Sequence, residues 1–255
     1  MTNPLATATA NGVSIWLDDL SRERIESGNL KHLIENFSVR GVTTNPSIFA
    51  AALKDPFYSK ALAAEAAAGS DASQAIVNIT STDVANACDL FRGIYDSSNG
   101  VDGRVSIEVE PGLAFETEAT IAQALELYKL VARENVMIKI PATQEGIPAI
   151  REMIAEGRNV NVTLIFSLSR YQDVMDAYID GLEQRVESGL SPIGISSVAS
   201  FFISRVDNEI DKRLNALGTA DALSLLGTAA VNQARLAYAL FQKTFSGPRW
   251  ERLKA

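Results

Sequence analysis

Of the eight lysines, Lys139 alone lies in the middle of an apolar, strand-like run, Val136 to Ile140; the other seven sit in polar or amphipathic surroundings. An ammonium in the core of a parallel sheet is costly, and burial favours a neutral amine. A neutral amine can attack a carbonyl and form a Schiff base. A snorkelling or ion-paired lysine is the other explanation of the same pattern.

The ends of the neighbouring strand-like segments shift that balance toward chemistry. The first segment ends in Asp18-Asp19 and the second in Thr44-Asn45; the third carries Glu108, the fifth carries Asn161 and Thr163, and the sixth ends near Ser200 and Arg205. Taken singly, Asp18 or Asn45 is better explained as a cap of the next helix. Glu108 alone could be half of a buried ion pair. In a (β/α) barrel the C-terminal strand ends share one face, where catalytic groups sit. Polar groups at that end of every strand, around an embedded lysine, are hard to explain as caps.

The elements that must position these residues alternate. Strand-like runs are expected at Ser14–Asp18, Gly41–Asn45, Val105–Val109, Val136–Ile140, Val160–Phe166 and Ile193–Phe202. Helical patterns are expected at 21–36, 47–96 with a break at Gly69-Ser70, 116–133, 147–156, 169–188, 206–217 and 220–244, with another helix starting at Pro248. This alternation indicates βαβ units and a parallel sheet, open or closed as a barrel. Neither G-x-G-x-x-G after the first strand nor G-x-x-x-x-G-K-[ST] occurs, so a dinucleotide or P-loop site is poorly supported. With no linker or repeat, residues 1–255 read as a single domain.

Composition narrows the function classes. The net charge of −8 disfavours a protein that grips nucleic acid by its phosphates, yet one local Arg suffices for a small anionic substrate. One cysteine, Cys88, excludes an internal disulfide framework or a Cys-based zinc site, and one histidine, His32, excludes a His-rich metal site. There is no apolar run of about 18 residues and no signal-like start, so the expectation is a cytoplasmic protein without a membrane partner.

Five segments carry a family resemblance: Ser14-Ile-Trp-Leu-Asp-Asp-Leu-Ser-Arg, Gly41-Val-Thr-Thr-Asn-Pro-Ser-Ile, Ser106-Ile-Glu-Val, Val136-Met-Ile-Lys-Ile-Pro-Ala-Thr and Asn161-Val-Thr-Leu-Ile-Phe-Ser. The chain resembles the transaldolase family of class I Schiff-base enzymes over about residues 10 to 250, and its first segment is similar to the actinobacterial-type branch. The resemblance implies a (β/α)8 TIM barrel, no cofactor and sugar-phosphate substrates. It makes Lys139 the Schiff-base lysine. Asp18, rather than Asp19 one step further on, becomes the acid/base for carbon–carbon cleavage. Glu108 with Thr163 would hold a catalytic water, Asn45 and Asn161 would orient substrate, and Ser200 and Arg205 would form part of a phosphate site.

The implied activity is transfer of a dihydroxyacetone unit between sugar phosphates, a step of the pentose phosphate pathway. A fructose-6-phosphate aldolase-like enzyme is the alternative within enzymes; an inactive fragment or a sugar-phosphate binding module is the alternative outside them. The chain departs from the family in strand count. Nothing after Phe202 reads as a strand, so about six of eight βα units are expected, and the sequence looks truncated at its C-terminus relative to the family. Oligomeric state is not legible.

Overall fold

The computed structural model describes residues 3–46, 49 and 52–254. Ser47 and Ile48 of the second motif lie outside the described residues. Two compact units form: one runs up to Leu113 and resumes at Ala119–Lys139, the other comprises Ala114–Glu118 and the chain from Ile140 onward.

The first unit holds β1 (Ile15–Leu17), β2 (Val39–Val42), β3 (Arg104–Glu108) and most of β4 (Val136–Pro141), the strand in which the chain passes to the second unit. Each strand pairs in parallel with its neighbour in sequence: Trp16 opposite Gly41, Val42 opposite Val105, and Glu108 opposite Lys139. Strand order that follows chain order without reversal is the winding of a (β/α) barrel; a doubly wound sheet reverses at a switch point. The returning helices make this possible. The longest, Ala72–Ser97, starts at Asp71, whose side chain accepts from the Gln74 amide, and buries Ile79, Val84, Ala87, Cys88 and Phe91. Strand residues Val42, Val105, Val136 and Ile138 are also fully buried in this unit.

The second unit continues the pattern with β5 (Val160–Ile165) and β6 (Ser197–Phe201), again parallel. Helices Gly146–Ala155 and Leu168–Glu187 bury Ile150, Met153, Ile154, Val174 and Leu182. Ser167 caps the second of these by accepting from the Arg170 amide. The fold is α/β, with six parallel strands and their helices among the described residues, the arrangement of a (β/α)8 barrel with six of its eight units present.

Several boundaries differ from the sequence pattern. β2 ends at Val42, so Thr43, Thr44 and Asn45 follow it instead of lying in it. β6 spans only Ser197–Phe201; Ile193, read as its start, is 87% exposed after Pro192. The helical pattern 21–36 divides at Gly28, whose left-handed backbone redirects the chain between Glu26 and Asn29. The pattern 220–244 divides because its first helix stops at Leu223, and the chain turns through left-handed Gly227 before the next helix starts at Ala229.

One residue of β5 is irregular. The β5–β6 register runs evenly from Val160 to Val162, then resumes at Ile165 opposite Phe201, with one extra residue on β5. Leu164 takes up that residue with φ of +61°, a left-handed conformation rare for a side chain of its size. It is 41% exposed, while Thr163 before it and Ile165 after it are buried. Leu164→Val, whose β-branch tolerates this backbone least, is expected to lower unfolding stability by about 1–2 kcal/mol, and Leu164→Gly to stay close to wild type. Denaturant unfolding checks this; equal stabilities for the Val variant and wild type would contradict the bulge.

Candidate active site

The centre of the first unit's site follows from strand register. Glu108 and Lys139 are direct partners across β3 and β4, so their side chains leave the sheet side by side. Lys139 Nζ lies 3.0 Å from Glu108 Oε2 and donates to the Thr44 carbonyl oxygen at 3.0 Å. Both side chains are nearly buried, 11% and 13% exposed. Thr44 itself is held by its hydroxyl, which donates to the Ser106 carbonyl oxygen at 2.9 Å. The segment after β2 therefore places a backbone carbonyl on the lysine, and β3 anchors that segment.

Burial pushes the Glu108 carboxyl above the usual carboxylate range, while the charge and hydrogen bond of Lys139 pull it back. A carboxyl poised this way, in contact with an amine, can accept a proton and return it. The pairing also keeps the lysine from being an isolated buried cation.

Asp18 directly follows β1 and is exposed. Its neighbour Asp19 is engaged elsewhere: its carboxylate accepts from Arg24 Nε at 3.0 Å and Nη2 at 2.5 Å. Asp19 thus braces its own loop through Arg24. The same loop is fixed from its other end. Arg22 donates to Asp83 Oδ1 from Nε at 2.8 Å and Nη2 at 2.7 Å, and its amide donates to the Tyr58 hydroxyl at 2.8 Å. Asp83 is fully buried, and burial raises its carboxyl despite Arg22. Nothing in the sequence marks this triplet, because its members are separated by 36 and 61 positions.

Asn45 is half-buried and lines a cavity of about 420 Å³ together with Thr44, Ile76, Ile107, Glu108 and Leu127. Lys139 is not among the described lining residues, and the walls are mainly apolar side chains of β3 and the helices over it. This cavity flanks Glu108.

In the second unit, Asn161 and Thr163 lie on β5 with both side chains buried. Ser200 Oγ donates to Asn161 Oδ1 at 3.1 Å, joining β6 to β5 through two residues read from the sequence as substrate-binding. The Thr163 carbonyl oxygen accepts from the Ala142 amide at 2.8 Å. Arg205 is exposed in the first turn of helix Ser204–Leu217, its guanidinium carbon 4.6 Å from the centre of the Phe202 ring. Among the described residues no group of three or more His, Cys, Asp or Glu is arranged to hold a metal ion, and no helix is long and apolar enough to cross a membrane.

The raised Glu108 carboxyl has a consequence for stability. In the folded chain it keeps its proton to higher pH than in the unfolded chain. Its contribution to stability is complete below the ordinary Glu range and is lost as pH rises through the folded value. Glu108→Gln removes that loss, so the melting temperature of the variant minus that of wild type should grow from about pH 4 to about pH 8. A difference independent of pH would contradict the burial assigned to this carboxyl.

Comparison with known proteins adds the family. The model of the Transaldolase/Fructose-6-phosphate aldolase family matches residues 15–251. A transaldolase of Mycolicibacterium smegmatis is 56% identical over 255 residues, which cover 99% of this chain and 69% of the relative. One from Frankia alni is 51% identical over 256 residues, covering 100% and 69%. Transaldolase 1 of Streptomyces coelicolor is 56% identical over 257 residues, covering 97% and 68%.

Proposed function

Because this chain belongs to the transaldolase/fructose-6-phosphate aldolase family, we propose that it moves a dihydroxyacetone unit from a ketose phosphate to an aldose phosphate through a Schiff base on Lys139. The donors are sedoheptulose 7-phosphate or fructose 6-phosphate, and the acceptors glyceraldehyde 3-phosphate or erythrose 4-phosphate. The observation that carries this reading is the buried contact of Lys139 Nζ with Glu108 at 3.0 Å. The identity of 51–56% to proteins named transaldolase supports it.

The chemistry then divides among the residues. Lys139 Nζ attacks the ketose C2 carbonyl, and loss of water leaves an iminium that acts as an electron sink. Asp18 takes the proton of the C4 hydroxyl, the C3–C4 bond breaks, and the aldehyde leaves while the electron pair passes into an enamine. Glu108, with Thr163 and a water, carries the protons that carbinolamine formation and hydrolysis require. Asn45 and Asn161 orient the retained three-carbon unit so that it awaits the acceptor. Ser200 and Arg205 bind the phosphate, Arg205 by a forked contact. The iminium supplies the electron sink itself, so the proposed steps draw on no cofactor. We further propose that residues 1–255 make up one barrel domain, incomplete by two βα units. A cytoplasmic site of action fits a chain whose one cysteine, Cys88, is free and buried.

The test is acceptor dependence. With fructose 6-phosphate as donor, glyceraldehyde 3-phosphate should form beyond about one equivalent per chain only when erythrose 4-phosphate is added, and Asp18→Asn should lower that turnover by about 10²–10⁴-fold. Release of free dihydroxyacetone without acceptor would replace this reading with that of an aldolase. Full activity in the Asp18 variant would remove Asp18 from the mechanism.

A further inference from the structure

Three side chains at the ends of β5 and β6 form a stack. The rings of Phe166 and Phe202 lie 5.1 Å apart at 22°, and the Arg205 guanidinium carbon lies 4.6 Å from the centre of the Phe202 ring. The backbone explains why these rings meet. The extra residue at Leu164 brings Ile165 opposite Phe201, and the Phe202 amide donates to the Ile165 carbonyl oxygen at 2.9 Å. The residue just after each strand is then a phenylalanine, Phe166 after β5 and Phe202 after β6. Phe166 is pinned in turn, because its carbonyl oxygen accepts from Gln233 Nε2 at 2.6 Å, on helix Ala229–Thr244. Phe166 is 40% exposed, so it contributes little to the core.

We infer that Phe166 is a positioning residue for the Arg205 guanidinium, acting through the Phe202 ring, and that the stack sets how well the chain holds the phosphate of its substrate. This rests on the reading of Arg205 as a phosphate ligand. An exposed arginine is flexible, and gripping an anion costs it that freedom. Stacking removes part of the freedom beforehand. The ring's negative face attracts the guanidinium lying over it, and guanidinium N–H groups not used by the ring can still engage a phosphate in fork geometry. An aromatic ring behind Phe202 keeps that ring from rotating away when the anion binds. Phe166 touches neither phosphate nor reacting atoms in this arrangement.

The experiment compares wild type, Phe166→Ala and Phe166→Tyr by two readouts. The first is the rate of phenylglyoxal modification at Arg205, followed by peptide mass spectrometry, which needs no catalysis. It should rise about 3- to 10-fold in the Ala variant and stay at the wild-type value in the Tyr variant, whose ring preserves the stack. The second is the ligand concentration giving half-maximal borohydride trapping. For fructose 6-phosphate it should rise about 3- to 10-fold in the Ala variant, and for dihydroxyacetone, which has no phosphate, it should not change. An unchanged modification rate, or an equal loss for both ligands, would overturn the inference, the latter marking a merely structural role. Should wild type trap neither ligand, the functional reading fails, and the phenylglyoxal comparison still decides whether Phe166 holds Arg205.

Discussion

A primary amine and a carboxyl taken out of water side by side are the constraint on which the first unit's site depends. Either group alone would be an expensive buried charge; together they are tolerable, provided that the remaining hydrogen-bonding capacity is met. The Thr44 carbonyl meets part of it at 3.0 Å. The strand register that sets Glu108 opposite Lys139 is therefore as much a part of the site as the two side chains. A one-residue slip between β3 and β4 would send them to opposite faces.

What surrounds the pair reads as scaffolding for it. Thr44 is held by its hydroxyl on the Ser106 carbonyl, so the segment after β2 cannot drift from the lysine. The loop that carries Asp18 is braced by Asp19 on Arg24 and by Arg22 on the buried Asp83. Asp18 is left exposed, with its loop fixed on both sides. In the second unit, the Ser200–Asn161 hydrogen bond ties β6 to β5, and the Phe202 ring lies under Arg205 at the start of the next helix.

Much of this was legible in the sequence because it is local. A lysine in the run Val136 to Ile140 has few explanations, and alternating strand and helix patterns locate six strands to within a few residues. Lys139 and Glu108 could be named from their own strands. Their contact could not, since it depends on a register between segments 31 positions apart. The Arg22–Asp83–Tyr58 triplet was invisible for the same reason. Leu164 gave no signal, because a bulge there uses an ordinary residue where a glycine would have been the expected mark. β6 was read as too long because Ile193 and Ile195 continue an apolar run on either side of Gly194, which has left-handed backbone.

The central claim is that the buried Nζ of Lys139 is the atom that bonds to substrate. Incubation with fructose 6-phosphate and sodium borohydride, followed by proteolysis and mass spectrometry, tests it directly. The account predicts one reduced adduct, on the peptide containing Lys139, and none in Lys139→Met. An adduct on another lysine, or none in folded protein at saturating ligand, would contradict it.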